Sequence, residues 1–103
     1  MDKDWKLKLR YGKSTTPYKH YTVIAPVMIN KFIKDFSAKP GTAYIAMKVW
    51  ATDTNEAVDI LESIGNQKGY VIIGNIEIYN TDPKEAPSES PDAYDINFNY
   101  YEA

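Results

Sequence analysis

Residues 42–69, TAYIAMKVWATDTNEAVDILESIGNQKG, contain two hydrophobic patterns that decide the fold. Over 42–51 the apolar residues occupy every second position, which is the period of a strand with one buried face. Over 54–67 they recur at spacings of three and four, which is the period of a helix with one buried stripe. The sequence therefore predicts a strand followed by a helix. The apolar positions are Ala43, Ile45, Met47, Val49 and Ala51 in the strand, and Ala57, Ile60, Leu61 and Ile64 in the helix.

Both ends of the predicted helix carry sequence signals. Asp53 precedes Glu56 by three residues, which is the aspartate form of a capping box, and Thr54 is an alternative cap. Gly69 follows the last apolar turn and can adopt the left-handed conformation that ends many helices. Residues 70–80, YVIIGNIEIYN, then return as a strand. Because this strand begins with four apolar residues in succession, we predict that it is central in a sheet.

The N-terminal half predicts two further strands and a second helix. Residues 5–11, WKLKLRY, alternate between apolar and cationic side chains, and residues 18–25 are rich in aromatic and β-branched residues up to Pro26. Residues 27–37 place apolar side chains at helical spacing, so we predict a short helix there. A continued strand is the alternative, because its first apolar residues would also suit a pleated sheet.

The resulting order is β-β-α-β-α-β followed by a C-terminal strand. A strand–helix–strand unit over 42–80 predicts a right-handed crossover. We therefore expect an α+β fold, a two-layer sandwich with a mainly antiparallel sheet and both helices on one face, ferredoxin-like or a near variant. The expected organisation is an α+β core over 1–80, a linker rich in Pro, Ser and Glu over 81–93, and a C-terminal strand over 94–103.

The C-terminal segment resumes a strict alternation after the linker. Its apolar side is formed by Tyr94, Ile96, Phe98 and Tyr100. Strand 5–11 matches it, with Trp5, Leu7, Leu9 and Tyr11 on one side and Lys6, Lys8 and Arg10 on the other. Antiparallel pairing of the two would place the cations opposite Asp95, Asn97 and Asn99. The linker spans on the order of 20 Å as a flexible coil, so the strand can dock on its own chain or on a neighbouring subunit. A tail that merely covers an apolar patch is a third possibility.

Composition and charge exclude several classes of protein. The chain of 103 residues has no cysteine, which removes disulfides and thiolate metal sites. Neither a secretion leader nor a membrane span is visible, so we expect a cytoplasmic protein. Residues 1–51 have a net charge of +7 and residues 52–103 a net charge of −9. We expect the two halves to neutralise each other in the fold.

No catalytic or metal-binding constellation is apparent. His20 is the single histidine, and it is expected to be an ordinary strand residue instead of a general base. The acidic series on the helix, Asp53, Glu56, Asp59 and Glu62, is typical of a solvated face. Phosphate-binding glycine loops and nucleophile motifs are absent from the sequence. We therefore expect no cofactor and no metal, and catalysis is not favoured.

These observations favour a small non-catalytic interaction module. We expect self-association, as a homodimer or larger homo-oligomer, through a sheet edge or the C-terminal arm, or else binding of another protein, and no membrane contact. Single-stranded nucleic acid or small-ligand binding by the Lys- and aromatic-rich N-terminal strands is the alternative. Nucleic acid is disfavoured because the cations and aromatics of strand 5–11 lie on opposite faces. The candidate contact residues are Tyr94, Ile96, Phe98, Tyr100, Trp5, Lys6, Lys8, Arg10, Tyr44 and Trp50.

Overall fold

The computed structural model describes residues 16–101, and within that range it contains one helix and one five-stranded antiparallel sheet. The strands are β1 (Lys19–Ile29), β2 (Gly41–Ala51), β3 (Tyr70–Ile72), β4 (Glu77–Asn80) and β5 (Asp92–Tyr100). The helix, α1, is Thr54–Lys68, and a single 3-10 turn occupies Lys34–Phe36. The predicted strand 5–11 lies outside the described residues.

The centre of the sheet is the long antiparallel pair of β1 and β2. These strands pair along their whole length, from Lys19 opposite Ala51 to Ile29 opposite Gly41. The free edge of β2 pairs with β5, and the free edge of β1 pairs with both β3 and β4. Because β2 and β3 are each antiparallel to β1, they run parallel to each other with β1 between them. The predicted strand–helix–strand unit is therefore present, and α1 connects its two strands across β1.

The hydrophobic core lies between α1 and one face of the sheet, which we call the inner face. Alternate side chains of β1 and β2 point into it, as the period-two pattern of 42–51 predicts. The helix contributes Ala57, Leu61 and Gly65, all of them buried. The sheet contributes to this core the buried side chains Tyr21, Val23, Ala25, Val27, Ile29, Ala43, Ile45, Met47, Val49, Ala51 and Tyr70.

The helix begins and ends at the residues that the sequence indicates. Asp53 is the N-cap, and its Oδ1 accepts a hydrogen bond of 2.8 Å from the backbone N–H of Glu56. The Glu56 carboxylate in return accepts from the backbone N–H of Thr52, one residue further back than in a standard capping box. Gly69 has a φ of 114°, and its N–H donates to the carbonyl of Gly65. The predicted strand over 42–51 and this helix are confirmed.

The ferredoxin-like arrangement with two helices is wrong, because the described chain has one helix, although the α+β class is right. Residues 27–29 continue β1, where Val27 and Ile29 alternate into the core. Beyond them the chain forms only a bridge between Ile33 and Ala38 around the 3-10 turn. Sheet burial therefore overrides the helical spacing of this segment, and Phe32, an apolar residue of the expected helix 27–37, is 59% exposed.

The strand predicted over 70–80 is also corrected, because it is divided into β3 and β4 and lies at the edge of the sheet. Pro26 in the middle of β1 is the physical reason. The backbone carbonyl of Pro26 accepts a hydrogen bond from the N–H of Ile73. The nitrogen of Pro26 points to the same neighbouring strand, and because it carries no hydrogen it cannot donate a second bond to that strand. The chain passes so close to this proline that a Cβ on Gly74 would lie 2.6 Å from Pro26 Cγ. The proline thus interrupts the edge strand and leaves the β1–β2 ladder intact.

Candidate interaction surface

The sheet has a second face, which points away from α1 and which we call the outer face. The pairing register places His20 opposite Trp50, and Trp50 opposite Asp92, on this face. Its members on the two central strands are His20, Thr22, Ile24, Pro26 and Met28 of β1, and Tyr44, Ala46, Lys48 and Trp50 of β2. The edge strands add Val71, Glu77, Tyr79, Tyr94, Asn97 and Asn99. Ile73, two residues after Val71 and hydrogen-bonded to Pro26, is placed on the same face by the alternation. The outer face divides into two halves with different environments.

One half, which we call the closed half, consists of His20, Trp50 and Tyr94, over which residues 81–91 fold. The indole Nε1 of Trp50 donates to the backbone carbonyl of Glu85 at 2.9 Å, and only 4% of this residue is exposed. The hydroxyl of Tyr94 accepts from the backbone N–H of Lys84 at 2.8 Å and from that of Glu85 at 3.2 Å. The segment between β4 and β5 is therefore hydrogen-bonded to the sheet, although its Pro, Ser and Glu content is typical of a linker.

His20 lies at the centre of the closed half and is buried. Its Nε2 is 2.7 Å from the Tyr94 hydroxyl, and its Nδ1 is 3.0 Å from the backbone carbonyl oxygen of Thr81. Since the Tyr94 hydroxyl already accepts two N–H groups, its single proton is directed to Nε2. Nδ1 then carries the imidazole proton and donates to Thr81. Both ring nitrogens thus bond to groups of the protein, which is the arrangement of a structural histidine.

A β-bulge places Tyr94 in this cluster. Asn97 lies opposite Ala46 and Tyr94 lies opposite Lys48, so β5 has one more residue than β2 between these pairs. Asp95 adopts the left-handed conformation there, with a φ of 54°, a conformation in which Asp and Asn are enriched. The extra residue turns Tyr94 to the outer face, whereas Ile96 and Phe98 stay on the inner side. The expected common face for Tyr94, Ile96, Phe98 and Tyr100 is therefore wrong at Tyr94.

The bulge is also the position of an ion pair across the two strands. The ammonium group of Lys48 donates to the carboxylate of Asp95. This hydrogen bond and the charge of Lys48 lower the pKa of Asp95. The ion pair stabilises the fold at pH values above the ordinary pKa of an aspartate. This stabilisation is lost as the pH falls through the lowered pKa of Asp95. Lys48 is thereby neutralised on the outer face.

The other half, which we call the open half, is apolar and accessible. Tyr44, Val71, Ile73 and Tyr79 are each between 45% and 50% exposed. Ile24, Pro26, Met28 and Ala46 lie between them and are partly buried. The ring of Tyr101 packs on that of Tyr44 with centroids 4.6 Å apart. In the described part of the chain, residues 81–91 are hydrogen-bonded at the His20 end, and these aromatic and aliphatic side chains stay accessible. They form a contiguous apolar surface.

The open half carries little charge. Glu77 is its acidic residue, and Tyr79 donates its hydroxyl proton to the Glu77 carboxylate at 3.0 Å. This hydrogen bond raises the pKa of Tyr79. Lys48 at the border is paired with Asp95. A partner of this surface therefore meets mainly apolar and aromatic groups.

The candidate residues from the sequence fall into five groups. Tyr44 is exposed on the open half, whereas Trp50 and Tyr94 are occupied in the closed half. Ile96 and Phe98 pack against the core, and Phe98 contacts the rings of Phe36 and Tyr70. Tyr100 is at the end of β5 and donates to the carbonyl of Lys39. The remaining candidates, Trp5, Lys6, Lys8 and Arg10, lie outside the described residues.

Sequence reasoning missed Val71 and Ile73 as surface residues. The continuous run YVII indicates a strand that is buried on both faces, and it carries no sign of which side is accessible. One signal was present, because Gly74-Asn75 is turn-forming and interrupts the run. The strand that results, β3, has three residues and is too short for a central position beside two strands of eleven residues.

The described residues also include a groove beside α1. Residues 16–101 contain no group of three or more His, Asp or Glu side chains placed to hold a metal ion. A groove of about 240 Å³ is lined by Glu62, Gly65, Asn66, Tyr70, Val71 and Ile72. Its buried hydroxyl, that of Tyr70, donates to the carbonyl of Leu61, and burial raises its pKa. The same part of the chain has no helix with the length and apolar content needed to cross a membrane.

Neither the sequence nor the fold matches a protein-family model, a curated protein or a solved structure. The function is therefore inferred from the surface of the chain itself.

Proposed function

We propose that the protein is a small non-catalytic interaction module that self-associates through the open half of its outer face. The observation that carries this proposal is the accessible cluster of Tyr44, Val71, Ile73 and Tyr79 around partly buried aliphatic residues. Contiguous apolar patches, when large, are uncommon on monomers and mark sites of interaction. Tyrosine suits such a site because its ring is apolar and its hydroxyl stays hydrated.

A second copy of the chain is the partner that the chemistry of this surface fits. Self-association through one surface brings identical charges together, which is unfavourable when the surface is strongly charged. Here Lys48 is paired with Asp95, and Glu77 accepts a hydrogen bond from Tyr79. Each open half therefore brings one carboxylate without a cation partner among the described residues, that of Glu77, to the contact, so the like-charge repulsion between two open halves is limited to this group. Each sheet would then have a helix on its inner face and the other sheet on its outer face, at the usual sheet–sheet spacing of about 10 Å.

Self-association through the open half has more support than exchange of the C-terminal arm between chains. Residues of β5 pair with β2 of the same chain from Asp92 to Tyr100. The segment before β5 is tied down by Trp50 and Tyr94. An exchanged arm would have to break these contacts, whereas the open half needs no rearrangement. The absence of cysteine means that the chain does not depend on an oxidising compartment, and a cytoplasmic location is part of this proposal.

Binding of single-stranded nucleic acid has less support. Bases stack on aromatic side chains while nearby cations neutralise the phosphates. Tyr44 and Tyr79 could provide stacking, but Lys48 beside them is engaged with Asp95. Lys6, Lys8 and Arg10, which carried the alternative in the sequence, are outside the described residues.

Sedimentation of the full chain over a range of concentrations tests self-association. We expect a mass that rises from 11.8 kDa toward twice that value. Tyr44→Asp and Val71→Asp each place a carboxylate in the contact surface, and each should raise the dissociation constant at least about tenfold, or about 1.4 kcal/mol. Both positions are half exposed in the single chain, so these variants should fold.

The matched control is Ser63→Asp, which adds the same charge at an exposed position of α1. It should associate like wild type. A wild-type mass that stays at 11.8 kDa at every concentration contradicts the proposal, as does association that neither outer-face variant weakens. Retardation of a single-stranded oligonucleotide at low salt, without any change in mass in its absence, would favour the nucleic-acid alternative.

A further inference from the structure

β3 has a free edge in the part of the chain that the structure describes. Among residues 16–101 this strand lies at the end of the sheet and pairs with β1 alone. The backbone N–H of Ile73 donates to the carbonyl of Pro26 across the ladder between β1 and β3. Because such bonded pairs alternate along an antiparallel ladder, the N–H and C=O groups of Tyr70 and Ile72 point away from β1, toward the free edge.

The helix lies against this edge at Tyr70 and leaves a groove beside Ile72. A Cβ on Gly65 would lie 2.8 Å from the backbone oxygen of Tyr70, so α1 is in close contact with that carbonyl. The groove of about 240 Å³ adjoins this contact, and Ile72 lines it. Within the described residues the N–H and C=O groups of Ile72 have no hydrogen-bond partner, so they are available to an added strand.

The groove has the size and polarity to receive side chains of an extended segment. Pockets that bind small molecules measure about 300–1,000 Å³, and this groove of about 240 Å³ lies below that range. Ile72 is partly buried and packs against the core, so it gives the groove an apolar wall. A strand added to β3 would direct every second side chain toward this wall. Peptides bound in this way gain affinity from main-chain hydrogen bonds and specificity from the alternate side chains.

The helix side of the groove is acidic. Glu62 lines the groove and is exposed, and Asp59, one turn earlier on α1, is also exposed. Lys68, the cation of α1, is engaged with Asp35. Among residues 16–101 neither Glu62 nor Asp59 forms an ion pair, and no Lys or Arg lines the groove. A cationic side chain of a partner therefore complements this wall, whereas an anionic one is repelled.

We propose that this groove binds an extended segment of a partner protein as a strand added to the free edge of β3. The segment carries an apolar residue with a Lys or Arg two positions away, because residues two apart lie on the same side of a strand. The apolar side chain packs between Ile72 and α1, and the cation pairs with Glu62. The site is independent of the proposed self-association, since Tyr44 and Tyr79 of the open half do not line the groove.

Titration of the isotope-labelled full chain with a synthetic peptide, followed by nuclear magnetic resonance, tests this site. The probe is Thr-Val-Thr-Lys-Thr-Val-Thr with blocked ends, and the comparison peptide has Glu in place of Lys. With the Lys peptide we expect saturable shifts of the Ile72 backbone amide and of the Asn66 side-chain amide. The Glu peptide should bind at least about tenfold more weakly, because it brings a second carboxylate to Glu62.

A charge reversal in the groove should exchange the preference between the two peptides. We expect Glu62→Lys to bind the Glu peptide more tightly than the Lys peptide. Position 62 is exposed and Lys has a helix propensity similar to that of Glu, so this variant should fold. The matched control is Glu89→Lys, the same change at an exposed position between β4 and β5, and it should keep the wild-type preference. Tyr44→Asp should bind the Lys peptide like wild type, whatever its effect on self-association.

The proposal fails if the Lys peptide leaves the Ile72 amide unshifted, or if the two peptides bind equally to the wild-type protein. It also fails if Glu62→Lys keeps the wild-type preference, which would assign the binding to another site. Shifts of the Ile72 amide that appear when the protein is concentrated without peptide would show instead that this edge pairs with a second copy of the chain.

Discussion

A Leu61→Asp variant should be unfolded, or nearly so, at 25 °C. Leu61 is fully buried on the face of α1 that packs on β1, β2 and β3. The substitution removes an apolar side chain from the core and places a carboxylate among buried apolar side chains. Losses of this kind cost several kcal/mol, a large part of the roughly 5–15 kcal/mol by which a small domain is stable.

Urea unfolding followed by circular dichroism measures this effect. Ser63→Asp introduces the same charge two residues away at an exposed position, and its unfolding midpoint should lie close to that of wild type. If Leu61→Asp retains a cooperative transition within a few tenths of a molar of the wild-type midpoint, then α1 does not pack on the sheet as described.

Gly65→Ala should lower the stability of the protein, whereas helix propensity alone predicts that it would raise it. Gly65 lies inside α1, where replacement of glycine by alanine ordinarily stabilises a helix by roughly 0.8–1 kcal/mol. Here a Cβ would lie 2.7 Å from the Tyr70 ring and 2.8 Å from the Tyr70 backbone oxygen. The ring is held in place, since Tyr70 is buried and its hydroxyl donates to the carbonyl of Leu61 at 2.6 Å. We therefore expect Gly65→Ala to destabilise the protein by about 1–3 kcal/mol, as overpacking does.

The control for Gly65→Ala is Asn66→Ala, at the next residue of the helix. Asn66 is exposed, so alanine there changes only the helix propensity and should be neutral or slightly stabilising. Thermal or urea unfolding of both variants compares the two effects. A Gly65→Ala protein that is more stable than wild type would show that α1 and the start of β3 are further apart than the structure places them.

The elements that the sequence predicts correctly are those in which local signals and burial agree. In α1 the cap at Asp53, the apolar stripe and Gly69 all indicate the same boundaries, and the helix forms there. In β2 the alternation is unbroken, and the strand has the expected buried face. The C-terminal aromatic segment likewise forms a strand, although the described residues pair it with β2.

The failures occur where a distant contact overrides a local pattern. Met28, Ile29 and Ile33 have helical spacing, but the pairing of β1 with β2 and β3 holds the first two in an extended strand. Pro26 indicated the end of a strand, and instead it lies inside β1 opposite the break between β3 and β4. The position of this break depends on which strand is the neighbour of β1, which no local window of sequence contains.

The candidate surface was predictable only in part. Tyr44 and Tyr79 alternate with buried residues, so their position on the outer face follows from period two. The same alternation places Trp50 on the outer face, yet residues 81–91 cover it there. Tyr94 reaches His20 only because Asp95 adds one residue to β5. A bulge of this kind changes the face of a side chain without leaving a clear mark in the alternation.

The fold and the accessible face both depend on one claim, that β5 completes the sheet of its own chain. In the alternating register Ile45 and Phe98 form a non-hydrogen-bonded pair, with Cα atoms about 4.5 Å apart and their Hα protons in contact. The most direct test is an isotope-filtered nuclear Overhauser measurement on a mixture of labelled and unlabelled chains. We predict a cross-peak between the Hα protons of Ile45 and Phe98 within labelled chains and none between labelled and unlabelled chains. A cross-peak that appears only between different chains, or no cross-peak in either experiment, would contradict the structure described above.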